Sequence, residues 1–439
     1  MLDCRLENPI ALCCLVGGIS VANALITLAK KQPDAPQLAA DLRKAFPADK
    51  LQDGSAVLTD RGDFLWAIAS ASEPYLYVDD EPVHKMNKAA DGLWFHTAKV
   101  QQGYSHAHFY RIDGKVLGDK RFDNAALNED SYEQPGVPQG KLSEMMIHES
   151  AIYPGYKISW WIYASPGVDP ATPAPSMIWH DGQGFTRREA GDRLPVVTEN
   201  LVHQKKIPPM VHILLSPTVN GEPGAPAPEQ RSLRSLLYDS VNDHYNKMVF
   251  GEIYPKAQTM YKLRTDGYST GTCGQSSGGI CAFNQAWFRP DRVSRVISRI
   301  GTFTSIQWRY GQDNPTKFFG YEDPAGFLDG GNLYPFLLRK RDRKNIRVWL
   351  SDGNYDLENN HGSWPLQNIQ MANSLKMQEY DFHFRFGNSQ HSTQQGASEL
   401  PEAMTWLWRD YDPSKTEQIY EMDPLEKEKP YFRVKIVNR

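Results

Sequence analysis

The chain has 439 residues, 40% hydrophobic and 11% aromatic, enough apolar material for a sizeable core and too long for one ordinary domain, so two domains are expected. A net charge of -4 and a pI near 6.3 offer no basic surface of the kind nucleic-acid binding needs. Eleven Trp and 21 Tyr are many, and most are expected to fill cores, with some left to line a cleft.

Ile10 to Ala29 is mostly apolar and small, and Ala22-Asn23-Ala24 fits the A-x-A pattern that signal peptidase accepts. Residues 1–35 therefore read as a leader and the protein as secreted or periplasmic. A cytoplasmic location is the alternative, because Asp3 and Glu7 offset Arg5, and Gly17, Gly18, Ser20 and Asn23 interrupt the apolar run. No later stretch is long and apolar enough to span a membrane. Cys4, Cys13 and Cys14 lie in the leader. The two others, Cys273 and Cys281, read as small buried thiols and not as a disulfide framework.

Residues 36–145 carry short β-like runs: Phe64 to Ile68, Tyr75 to Val78, Leu93 to Phe95 and Tyr104 to Ile112, with turn signals at Asp91-Gly92 and Asp113-Gly114. Regular short strands predict a small β-sandwich. At Asp91-Gly92-Leu93-Trp94, Gly103-Tyr104 and Phe109 to Gly114 the stretch resembles the immunoglobulin-like early-set modules that precede catalytic domains in glycogen-branching enzymes and enterochelin esterases. The resemblance implies a module that packs on the catalytic domain and shapes its cleft, with carbohydrate binding as the other role. Glu129 to Gly140, with two prolines and two glycines, reads as the linker.

Residues 146–412 alternate strands and helices. Tyr156 to Tyr163 alternates as an antiparallel strand; Ser176 to Trp179, Val211 to Leu215, Val293 to Ile300, Ile346 to Leu350 and Tyr380 to Phe386 read as further strands. Leu194 to His203, Ser232 to Tyr261 and Leu366 to Met377 read as helical stretches. This pattern predicts a mostly parallel sheet covered on both faces, with functional loops at the carboxyl ends of its strands. Gly274-Gln275-Ser276-Ser277-Gly278 falls at one such end and reads G-x-S-x-G. Small flanking residues let a strand turn sharply into a helix with Ser276 exposed at the tip.

A serine hydroxyl needs a base and a group to orient the base, and in α/β-hydrolase order the acid and then the histidine follow the serine. The strand Ile346 to Leu350 delivers an acid-rich loop holding Asp352, Asp356 and Glu358; the next strand delivers Ser389-Gln390-His391. His361, deeper in the acid loop, competes with His391. Asp352 follows its strand closely, and Glu358 would have to sit further round the loop, so both compete with Asp356.

From about Ser150 to Asp412 the chain resembles the putative-esterase family of the α/β-hydrolase superfamily, which includes enterochelin esterases, feruloyl esterase domains and mycolyltransferases. The stretches that carry the resemblance are His180-Asp181-Gly182-Gln183-Gly184, Ser276 to Gly279, Asp352 to Asp356, Leu400 to Ala403 and Trp406 to Tyr411. It implies Ser276 as nucleophile, Asp356 as acid and His391 as base of a carboxylic-ester hydrolase that forms an acyl-enzyme. The family usually has Gly-Gly-His before the histidine; Ser389-Gln390-His391 here implies a reshaped loop. Backbone N–H groups of Ser277 and Gln183 are expected to form the oxyanion hole.

No cofactor is implied, and the histidines show no paired metal-ligand spacing. The expected substrate is a small-molecule or carbohydrate ester: a hydroxycinnamoyl or acetyl ester of a polysaccharide, or a catecholate siderophore ester. The siderophore is anionic, and Arg187, Arg188, Arg231 and Arg234 are candidates for a basic cleft. An acyltransferase of the mycolyltransferase type and a non-catalytic binding protein on the same fold are the rival readings. Residues 413–439 read as a C-terminal extension ending in a half-buried strand, Tyr431 to Val437, that ties the domains together.

Overall fold

The structure, a computed structural model, describes residues 21–82, 86–217, 234–306, 317–318, 321–322 and 330–431. The chain divides into two compact units, Met1–Glu129 and Asp130–Arg439.

In the first unit, strand Asp63–Ala69 shows why two layers form on one sheet. Leu65 and Ala67 point to one face and Phe64, Trp66 and Ile68 to the other, and all five are buried. The second face packs against Leu76, Tyr110 and Ala126 of a five-stranded antiparallel sheet, which makes the expected sandwich. The first face packs under helices Val21–Lys31 and Leu38–Ala45 through Leu25, Ile26, Ala29, Leu38 and Leu42. The apolar run from Val21 onward is the buried face of an amphipathic helix, and Ala22-Asn23-Ala24 lies in its first turn; the part of the expected leader before Val21 lies outside the described residues.

The second unit is built on a nine-stranded sheet. Its strands are β1 (Lys141–Leu142), β2 (Met146–Glu149), β3 (Lys157–Ala164), β4 (Ser176–His180), β5 (Val211–Ser216), β6 (Thr270–Gln275), β7 (Arg295–Arg299), β8 (Arg347–Tyr355) and β9 (Asp381–Gln390). The order is β1-β3-β5-β4-β6-β7-β8-β9, with β2 also on β3; β1 to β3 run antiparallel and β4 to β9 are mutually parallel. Parallel strands β4, β5, β7 and β8 bury apolar side chains on both sides because helices cover both. Ile178, Ile213, Val296, Val348 and Leu350 meet helices α2 (Ser277–Phe288) and α3 (Trp364–Met377). Met177, Trp179, Leu214, Ile297 and Trp349 meet α1 (Leu194–His203) and α4 (Gln394–Trp408). Cys273 and Cys281 are free and buried, in the cores on opposite faces of the sheet. The architecture is the expected α/β arrangement.

Two boundaries differ from the sequence reading. Residues 130–145 sort with the second unit and not with the first, because β1 pairs with β3 and the carbonyls of Asp130 and Tyr132 accept hydrogen bonds from the Asn200 amide of α1. The helical stretch expected from Ser232 to Tyr261 is broken in its described part into turns at 234–238, His244–Met248 and Tyr254–Gln258, with a π turn at Val249–Ile253. Pro255 has no amide hydrogen to offer the carbonyl four residues back, and a π turn accommodates that break. Beyond Asp412 the chain stays attached: Tyr420 and Met422 are buried, and the Tyr420 hydroxyl meets Ser294 Oγ at 2.9 Å. The expected terminal strand lies outside the described residues from residue 432 onward. Among the described residues no helix is long and apolar enough to cross a membrane.

Candidate active site

Ser276 stands where β6 turns into α2, at φ 58° and ψ −125°, a conformation that a residue with a Cβ adopts only under strain. Its surroundings hold it there. The Ser276 amide donates to Arg299 O at the end of β7 (3.0 Å), and its carbonyl accepts from Thr302 N (3.1 Å). A Cβ on Gly274 would lie 2.1 Å from Gly278 O, so the strand and the helix it feeds approach closely enough to exclude any side chain. Gly274→Ala is therefore expected to cost about 3 kcal/mol or more in a denaturant titration, because backbone must move on both sides. Normal stability in that variant would show the tight turn to be unnecessary.

Strands β6, β7, β8 and β9 are neighbours running the same way, so the loops at their carboxyl ends share one edge of the sheet. Asp356 follows β8 and His391 follows β9. His391 Nδ1 lies 2.5 Å from Asp356 Oδ1, and Nε2 lies 2.8 Å from Ser276 Oγ. An ionised carboxylate only accepts, which assigns the proton to Nδ1 and leaves Nε2 bare to accept the serine hydroxyl. Asp356 Oδ1 also accepts from Leu357 N at 2.6 Å. The competing residues lie elsewhere: Glu358 is exposed, and His361 sits in the hairpin beyond it, where its carbonyl accepts from Ser305. Asp352 is fully buried inside β8, where its Oδ1 accepts from Gly353 N at 2.6 Å.

Two residues that the sequence did not single out complete the arrangement. Thr302, just past β7, has its hydroxyl 3.3 Å from Ser276 Oγ. Trp364, the first residue of α3, donates its indole N–H to that hydroxyl at 3.2 Å and presents its ring edge to His391 at 5.8 Å between centroids. The one available signal was position: Thr302 also follows a strand end on the same edge of the sheet.

The loop after β4 approaches the elbow from the other side. His180 ends the strand, Asp181 takes a left-handed conformation (φ 56°), and Gly182–Phe185 forms a short 3-10 turn. A Cβ on Gly182 would meet Leu214 and Leu215 backbone at 2.4 Å, so only glycine lets this loop lie against β5. A Cβ on Gly278 would sit 3.1 Å from Asp181 Oδ2 and 3.2 Å from His180 Cβ, which brings the first turn of α2 against the loop that carries Gln183. Asp181 is clamped by Arg234, with Nε to Oδ1 at 2.8 Å and Nη2 to Oδ2 at 2.7 Å. Burial pushes the His180 imidazole down to about 4, so it is neutral; it bonds Thr272 and Gln285 and steadies the strand ends.

Residues 155–407 match the family described as Putative esterase. The chain belongs to this esterase family. It is a carboxylic-ester hydrolase. No curated protein sequence matches it. Among solved structures, the enterobactin esterase from Shigella flexneri, determined in the presence of enterobactin, is similar at 16% identity, covering 79% of this chain and 93% of that one with a TM-score of 0.53. The enterochelin esterase from Shigella flexneri is similar at 15% identity over 84% of this chain and 99% of its own, TM-score 0.52. The ferric enterobactin esterase from Salmonella typhimurium matches at 16% identity over 82% and 98%, TM-score 0.51. At these identities the likeness is one of fold. Within the esterase, Arg188 and Arg234 are already paired with carboxylates: Arg188 with Glu133 and Glu199, Arg234 with Asp181. Arg187 is exposed, and Arg231 lies outside the described residues.

Proposed function

We propose that this esterase cleaves its ester through a covalent acyl-enzyme on Ser276. The hydrogen-bonded line from Asp356 through His391 to Ser276 is the observation that carries the reading. Ser276 Oγ attacks the ester carbonyl while His391 Nε2 takes its proton. The imidazolium that forms is held by Asp356 and returns the proton to the departing alcohol. Water then repeats the sequence on the acyl group, with His391 again the base. The Ser277 amide, at the start of α2, and the Gln183 amide, in the turn after β4, supply the oxyanion hole in this reading; the close approach of Gly278 to Asp181 supports it.

Thr302 has a part in this scheme. Because the Trp364 N–H can only donate, the Thr302 hydroxyl accepts it and turns its own proton toward Ser276 Oγ, which leaves the serine proton for His391. Thr302→Val, which keeps the shape and removes the hydroxyl, is expected to lower kcat about tenfold, the worth of one ordinary hydrogen bond, while Thr302→Ser keeps most of the rate. Equal losses in both variants would assign Thr302 a packing role alone.

For the substrate, we place an uncharged aromatic or acetyl ester of a carbohydrate first. A ferric siderophore is strongly anionic and calls for free cations around the nucleophile, and the pairing of Arg188 and Arg234 with carboxylates argues against their serving that purpose. The fold shared with enterobactin esterases favours a catecholate siderophore ester as the second reading. Side-by-side kcat/KM values on methyl ferulate, acetylated xylan and enterochelin test the choice. A preference for enterochelin by more than tenfold would reverse the order, and transfer of the acyl group to an added sugar alcohol in place of water would make the protein an acyltransferase.

A further inference from the structure

Asp352 is a second buried acid that the scheme above does not use. β8 keeps register with β9 through Gly353 opposite Gly387, shifts, and resumes at Tyr355 opposite Gln390. At that irregularity Asp356 N donates to Gly353 O at 3.1 Å, a four-residue turn that folds Asp356 back toward the strand it has just left. The turn fits only because residue 353 is glycine: a Cβ there would lie 2.1 Å from Ser389 O. Two carboxyl groups thereby meet out of water. Each is bonded through Oδ1, Asp352 to the Gly353 amide and Asp356 to His391 and the Leu357 amide. Each has an Oδ2 that is buried and makes no close hydrogen bond.

Two ionised carboxylates in this position would leave two buried oxygens without a close donor beside like charge, at a large desolvation cost, whereas a single proton shared by the pair relieves it. The side chains facing Asp352 from the neighbouring elements bring no compensating charge. They are Asn368 of α3 and, around Gly353, Ser389 of β9 and Gln395 of α4, whose amide donates to Asp352 O at 3.3 Å; the titratable group beside it is Asp356, with His391 beyond. We propose that Asp352 is held as a neutral acid whose O–H donates to the free oxygen of Asp356, making it the positioning residue for the carboxylate that orients His391. This rests on the roles given above to Ser276, His391 and Asp356. Burial first, and Asp356 second, drive the Asp352 carboxyl well above its ordinary range, in the same direction. The proton goes to Asp352 and not to Asp356 because Asp356 is held by an imidazole that turns cationic when it takes the serine proton, and by an amide, whereas the donors to Asp352, the Gly353 amide and the Asn368 side chain, stay neutral.

Asn at 352 reproduces this arrangement without a titrating proton, its Oδ1 accepting from Gly353 N and its amide donating to Asp356; Ala removes it. Asp352→Ala is expected to lower kcat about 100-fold with little change in KM, through a misplaced Asp356 and imidazole, and Asp352→Asn to recover most of that loss. The stability readout is independent of catalysis. A carboxyl raised in the fold contributes stability that is fully present below the unfolded pKa and lost as pH rises through the folded value, so the melting temperature of Asp352→Asn should gain on that of the parent from pH 5 to pH 9. A gap that stays flat or narrows over that range overturns the proposal, as does an Asn variant that folds yet is as slow as the Ala variant. If Asp352→Ala does not fold, the comparison of parent and Asn variant across pH still decides. A widening gap in a protein whose Ser276→Ala variant keeps full esterase activity would uphold the acid pair and refute the nucleophile assignment, so the two ideas fail separately.

Discussion

Ser276→Ala is expected to reduce kcat on short p-nitrophenyl esters by about 10⁶-fold, leaving the residual rate that binding and the oxyanion hole alone supply. Alanine keeps the Cβ, so the strained φ of 58° and the hydrogen bonds from the backbone of residue 276 to Arg299 and Thr302 remain. The variant should therefore melt where the parent does, and its loss can be ascribed to chemistry. The same substitution should abolish covalent labelling by a fluorophosphonate. Activity within tenfold of the parent, or labelling at another serine, would remove Ser276 from the mechanism.

Asp356→Asn should cost about 10⁴ in kcat, less than loss of the nucleophile but far more than loss of an ordinary hydrogen bond. The cause is the tautomer. In the parent, Asp356 Oδ1 accepts from His391 Nδ1 at 2.5 Å, which leaves Nε2 free to receive the serine proton. An asparagine amide turned toward the ring donates where the carboxylate accepts, so the proton moves to Nε2, and the base faces Ser276 already protonated. KM should change little, because Asp356 is buried behind the imidazole and is not presented to substrate. A tenfold or smaller drop would mean that another acid orients His391, and Asp352 is the residue to test next. A parallel loss in Asp352→Ala that Asp352→Asn repairs would instead separate the two acids, one holding the histidine and the other holding its partner.

Much of the molecule was legible because its causes are local. Gly274 and Gly278 flank a serine, and the clash that a side chain would make there is a property of a strand turning into a helix within a few residues. Runs such as Ser176–His180 and Val211–Ser216 announce parallel strands because, covered on both faces, they are buried at every position and mostly apolar. The order serine, acid, histidine is legible for a related reason: each follows a strand, and parallel strands end on the same edge.

Other features have no local cause. Val21–Lys31 carries apolar residues whose partner, the sheet beneath Leu25, Ile26 and Ala29, is far from obvious along the chain. Lys141–Leu142 is too short to announce itself as a strand until β3 offers it a partner.

The sequence by itself determined the elbow at Ser276, the alternation of strand and helix that builds the sheet, and the strand-end loops that carry Asp356 and His391, since steric limits and hydrophobic periodicity act over a few residues. Tertiary structure alone decided which of the acids near β8 faces the imidazole, that Thr302 and Trp364 adjoin the serine and the histidine, that Arg188 and Arg234 are paired with carboxylates, and that Asp352 is buried against Asp356. These depend on distances between atoms separated by tens to more than a hundred residues, or on one turn closing at Gly353, and the pattern along a chain records neither.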